Sequence, residues 1–91
     1  MNIDRRVVCA ALAYKDILIL GARHFDHTMI NQISSNDKAP FVAGKAWEQG
    51  FINTWGEFLT REEAWIVAEH NNQIIKRVGG DDKKLFSENL Y

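Results

Sequence analysis

Glu48-Gln-Gly-Phe-Ile-Asn-Thr-Trp-Gly-Glu-Phe-Leu-Thr-Arg-Glu-Glu-Ala-Trp65 is the stretch that decides the fold. It predicts two short strands, Phe51–Asn53 and Glu57–Leu59, joined at Thr54-Trp55-Gly56, where Gly56 can take the positive φ that a tight turn demands. The second strand runs straight into a helix start. Thr60 stands at the N-cap and Glu63 three residues later, which makes a Thr-x-x-Glu capping box. Four of the chain's ten aromatics (Phe51, Trp55, Phe58 and Trp65) fall here, so a planar ligand is sought here first.

Outward from this stretch, the N-terminal side reads as a hairpin. Val7 to Tyr14 is β-rich at its start and apolar on both faces, which suits a central strand. Lys15-Asp16 are its only turn-like residues before the second apolar run, Ile17 to Leu20. Gly21 breaks that run, and Asp26 is placed to cap a helix over about residues 27–34, with Met29, Ile30 and Ile33 on one face. Residues 34–46 hold the only proline and read as a loop. On the C-terminal side, a helix over roughly 61–71 turns Ala64, Trp65, Val67 and Ala68 inward, and Asn71-Asn72 can end it through a left-handed residue. Gln73 to Val78 is a third strand candidate, closed by Gly79-Gly80. Asp81-Asp82-Lys83-Lys84 reads as a solvated charge cluster, and the apolar tail from Leu85 to Tyr91 is expected to dock. The sum is a single α+β domain over residues 1–91, a small antiparallel β-sheet packed with two helices.

Composition narrows the function classes. At 91 residues the chain makes one small domain with a thin stability margin, a circumstance that favours self-association. Its single cysteine, Cys9, permits no intrachain disulfide and points to a reducing cytoplasm. No apolar run reaches membrane-spanning length, and no leader pattern opens the chain. A formal net charge of −1 with interspersed signs argues against duplex DNA as a partner. A small anionic ligand remains compatible, because it needs only a few local cations.

The catalytic motifs are weak. His24-Phe25-Asp26-His27 invites a metal, but a site closed within four residues is rare and no further ligand stands at a completing distance. The better functional reading makes Arg23 and His24 donors beside a helix N-terminus, where anions bind, although spacing alone favours the plainer reading of two surface donors. Arg61-Glu62-Glu63 resembles part of a Nudix helix, yet Asn53 stands where a glutamate is needed, so these are first-turn helix residues. No nucleophile arrangement and no glycine-rich phosphate loop is present. Phe58 and Trp65 read as core. Phe51 and Trp55, at the turn's mouth and tip, are the candidate stacking surfaces, and Arg77 can reach them if the third strand joins the hairpin.

Five short motifs in order carry a resemblance: Val-Cys-Ala-Ala from Val8, Gly-Ala-Arg-His-Phe-Asp from Gly21, Glu-Gln-Gly-Phe-Ile from Glu48, Gly-Glu-Phe-Leu-Thr-Arg-Glu-Glu-Ala from Gly56, and Leu-Phe-Ser-Glu-Asn-Leu-Tyr from Leu85. Together they resemble a family of small phage proteins similar to the first type of anti-Thoeris protein, a sponge for cyclic ADP-ribose isomers. The resemblance implies a phage-encoded protein in the host cytoplasm that sequesters the signal uncleaved, with no cofactor. It also implies a homo-oligomer built from dimers, with a hexamer as one such assembly, pockets between protomers, and cyclic oligonucleotides as further ligands. Carried over by position, Phe51, Thr60 and Arg77 would line the signal pocket, and Arg23 and His24 would contact phosphate. Two other classes stand beside this one. One is an enzyme that cleaves such a nucleotide with His24 or His27 as acid or base. The other is an inhibitor that docks on a host protein through its aromatic surface.

Overall fold

The structure is a computed structural model, and it describes residues 2–35 and 47–90. Most of the predicted loop, 36–46, and Tyr91 lie outside the described residues. The element order is β1 (Val7–Tyr14), β2 (Ile17–Gly21), α1 (His27–Ser34), β3 (Glu48–Asn53), β4 (Phe58–Thr60), α2 (Arg61–His70) and a 3-10 turn at Ser87–Asn89.

The strands form one antiparallel sheet in the order β2-β1-β3-β4, so β1 is central as its two apolar faces require. Lys15 closes the first hairpin at φ 52, a left-handed conformation that non-glycine residues adopt only where a tight turn forces it. Pairing of Ala10 with Phe51, and of Phe51 with Leu59, puts these three side chains on one face. Leu12 and Ile19 share that face, and the helices cover it: Met29 and Ile33 of α1 and Ala64, Trp65, Val67 and Ala68 of α2 belong to the same buried cluster. Cys9, Ala11 and Ile52 point the other way, and Cys9 is only half-buried there.

Both helix caps form as their residues predict. Asp26 Oδ1 accepts the Met29 N–H at 2.9 Å. Thr60 Oγ1 accepts the Glu63 N–H while the Glu63 carboxylate accepts the Thr60 N–H, a complete capping box. Each cap contributes roughly 1 kcal/mol. Asn72, at φ 55, supplies the left-handed residue just past α2.

Three expectations need correction. The segment 73–78 forms no strand. Its first residue is captured by the helix end, since the Gln73 N–H donates to Ala68 O at 2.8 Å. What pairs with β1 is the Gln73 side-chain amide, which accepts from Val7 N and donates to Val7 O. Gln32 does the same to Leu20 on β2, so two amide side chains occupy backbone groups that a further strand would use. The second correction is Asp81, which is not solvated. It is 5% exposed and accepts from Arg77, the Val78 N–H and Asn89. The third is Ile30, which leaves the α1 core face and stands exposed. The tail docks as expected: Leu85, Ser87 and Asn89 are buried, and the Leu85 N–H donates to Arg61 O.

Candidate functional site

Four separate segments converge beside the first residue of α2. The chain leaves β2 at Gly21, where a Cβ would sit 2.6 Å from the Asp26 carboxylate and 2.9 Å from Met29, so only glycine permits this tight return. Phe25 takes φ 56 in the same turn, and the strained backbone swings His24 back over the sheet. His24 Nε2 lies 2.7 Å from Gly50 O, and its ring stands edge-on to Phe51, 5.1 Å away at 88°. A carbonyl can only accept, so Nε2 carries the proton. Nδ1 is then the acceptor that faces Arg61 Nη2 at 3.4 Å.

Arg61 holds the cluster together. Its Nη1 donates to Leu85 O and its Nη2 to Gln49 Oε1, both at 2.7 Å, and the guanidinium lies 4.5 Å above the Phe86 ring. Arg23 pairs with Glu88 at 3.2 Å along the same tail. Loop, β3, α2 and tail therefore meet through Arg23, His24, Gln49, Arg61, Phe86 and Glu88.

The electrostatics favour a neutral imidazole. Burial pushes the His24 pKa below its ordinary value, and the Arg61 charge adds to this against the opposing Gly50 hydrogen bond. Burial also lowers Arg61, with Glu88 and Glu62 acting at longer range. Among the described residues no carboxylate ion-pairs with Arg61; its partners are a carbonyl, an amide and an imidazole. Arg61 thus contributes a guanidinium charge that no described carboxylate contacts. That suits holding an anion through charge-assisted hydrogen bonds. It does not suit proton transfer by His24, whose two ring nitrogens are both engaged.

The other sequence-chosen residues fall elsewhere. Phe51 is 0% exposed in the core and presents no ring face to solvent, because its register places it under the helices. Thr60 spends its hydroxyl on the α2 cap. Arg77 does not reach the hairpin, since its segment never joins the sheet. It makes a bidentate pair with Asp81 at 2.8 Å and lies 5.0 Å from the centre of the Trp65 ring. Trp55 is 71% exposed at the β3–β4 turn, with the Arg5 guanidinium 3.6 Å from its ring centre and Arg5 tied to Glu57 at 2.7 Å. Only Arg23 and His24 of that set are brought together. Gln49, Phe86 and Glu88 were not singled out and Arg61 was read only as a first-turn helix residue, although each lies inside one of the five quoted motifs.

Among the described residues no group of three His, Cys, Asp or Glu side chains is placed to hold a metal. The Asp26 carboxylate is taken by the Met29 and Arg23 N–H groups. No described helix is long and apolar enough to cross a membrane.

No solved structure matches the chain. It is similar to a segment of the DNA polymerase of canine adenovirus serotype 1 (strain CLL), 33% identical over 82 residues or 81% of this chain. It is likewise similar to the DNA polymerases of human adenovirus C serotypes 2 and 5, 34% identical over 86 residues or 84% of this chain. The chain spans 7% of the length of these polymerases. Residues 6–91 match the profile of one family over nearly the whole chain, and the protein belongs to that family, the phage T4 y16D proteins.

Proposed function

We propose that this protein binds a small anionic nucleotide signal, of the cyclic ADP-ribose or cyclic oligonucleotide class, and withholds it from a host defence effector without cleaving it. The observation that carries the reading is Arg61, a half-buried guanidinium held by neutral acceptors beside Arg23, His24 and Gln49. Such a group leaves positive potential that an external phosphate can use. Membership in a phage family supports a viral role. The engaged nitrogens of His24 favour holding over turnover. Assembly into dimer-based oligomers belongs to the same reading and is checked by light scattering.

The test is calorimetric titration with a cyclic ADP-ribose isomer and with a cyclic trinucleotide, followed by heat release and chromatography. Binding with intact recovery, lost in Arg23→Glu and weakened in Arg61→Lys, supports the sponge. Recovery of a hydrolysed ligand turns the reading to an enzyme, and no heat with either ligand removes it.

A second reading draws on the likeness to a segment of adenoviral DNA polymerases: the same cluster contacts a phosphate of a nucleic-acid strand. Titration with a single-stranded oligonucleotide separates the two.

A further inference from the structure

A groove on another face has a different chemistry. It occupies about 570 Å³ beside α2 and is lined by Glu62, Trp65, Ile66 and Glu69 of the helix and by Arg77, Asp82 and Lys83. Positions 62, 66 and 69 are spaced by four and three, so they form one stripe on the helix. Ile66 is 51% exposed in the middle of that stripe. Glu62 and Glu69 flank it, two turns or roughly 10.5 Å apart along the helix axis. Neither carboxylate is ion-paired among the described residues.

The charge balance decides what fits. The Arg77 cation is matched by the buried Asp81 carboxylate through two hydrogen bonds. That leaves Glu62, Glu69 and the lining Asp82 against Lys83 alone. An anionic nucleotide meets net repulsion here. An apolar side chain with a cation on either side meets complementary surface.

We propose that this groove is a docking site for a basic amphipathic helix of a partner protein. A helix lying alongside α2 presents its own residues with the same seven-residue repeat. One of its apolar side chains enters over Ile66 and Trp65, and Lys or Arg residues two turns apart meet Glu62 and Glu69. The proposal is independent of the nucleotide reading, because it uses another face and the opposite charge.

The test uses the full chain and two synthetic helical peptides, one patterned with Leu and Lys and the other with Leu and Glu. Fluorescence anisotropy measures affinity, and NMR amide shifts locate the contact. The Lys peptide is expected to bind, to weaken with salt, and to perturb amides over 62–70 and 77–83. Reversing both charges, Glu62→Lys with Glu69→Lys, should weaken it roughly tenfold or more. Ile66→Ser should also weaken it. All three positions are exposed, and thermal melts verify that the variants fold. Equal binding of the Glu peptide, no effect of the double reversal, shifts confined to other faces, or no binding at all would each overturn the proposal. A cyclic nucleotide that shifts these same amides would also count against it.

Discussion

Replacing Arg61 with alanine removes in one step the donors that tie the tail to the sheet. Two hydrogen bonds at 2.7 Å are lost, to Leu85 O and Gln49 Oε1. A hydrogen bond from a charged donor contributes about 1.5–3 kcal/mol. Leu85 is fully buried, so its carbonyl has little access to water once the guanidinium is gone. Two effects oppose the loss. A half-buried cation no longer has to be desolvated, and alanine is the better helix former by a few tenths of a kcal/mol. Contact with the Phe86 ring is also lost, which restores part of the cost. The net destabilisation comes to about 3 kcal/mol.

For a domain of this size each kcal/mol moves Tm by about 4–8 °C, so Arg61→Ala should melt roughly 12–24 °C lower. Circular dichroism melts at fixed pH measure this, and Arg61→Lys should fall between the two because ammonium retains charge without the planar fork. Amide exchange of Phe86, Asn89 and Leu90 should speed up more than that of β1, since the tail loses its tether first. Glu88→Gln is the contrast. Its pair with Arg23 is half-exposed, so the loss should not exceed about 1 kcal/mol. A melt of Arg61→Ala within about 3 °C of the parent, with tail protection unchanged, would refute the assignment of Arg61 as the clasp.

Gly50→Ala should destabilise by about 3 kcal/mol or more, because the new Cβ would lie 2.1 Å from Leu59 O, a backbone atom that cannot move aside; the urea midpoint reads this. Folding holds the His24 pKa below its ordinary value, so the unfolded chain binds the proton first and stability falls as pH drops below about 6.5, levelling once the folded imidazole is protonated. Urea midpoints across pH 5–8 should show that slope, and His24→Gln should flatten it. The Arg77 hydrogen bonds, with the Val78 N–H and Asn89, hold the Asp81 carboxyl well below the usual carboxylate range. That stabilisation is present above the unfolded value of about 3.9 and is lost as pH falls through the lower folded value, so Asp81→Asn should be less stable at neutral pH and lose less on acidification.

The sheet, both helices and both caps were legible because each rests on local chemistry. Val7 to Tyr14 has no breaker, Asp26 and Thr60 stand one residue before apolar-periodic runs, and Asn72 can adopt positive φ. Residues 73–78 misled for a physical reason. Ile74, Ile75 and Val78 have strand propensity, but the edge they would join is filled by a Gln73 side-chain amide, which no periodicity reveals. Asp81 misled likewise, since a run of two acids and two lysines reads as solvated until Arg77 and Asn89 close around the first acid. The site was half legible. Arg23 and His24 were found from their place before a helix N-terminus. Arg61 was hidden by a sufficient local role as a first-turn residue, and Gln49 and Glu88 by distance in sequence.

Gln49 is where the clasp and the proposed function can be told apart. Its Oε1 already accepts from Arg61 Nη2 at 2.7 Å, so a glutamate carboxylate fits the same position with almost no change in shape. A carboxylate there would turn a neutral acceptor into an ion pair with the guanidinium. In a half-exposed setting that pair is worth about 1 kcal/mol, equivalent to a rise of roughly 4–8 °C in Tm. If the cluster exists only to hold the tail, Gln49→Glu should simply improve the protein. If it also holds an external anion, the same change cancels the charge that the anion would use. Gln49→Glu should then melt higher and bind the cyclic nucleotides at least tenfold more weakly, a trade of function for stability. Higher stability with undiminished binding would move the anion site away from Arg61, while the clasp would stand.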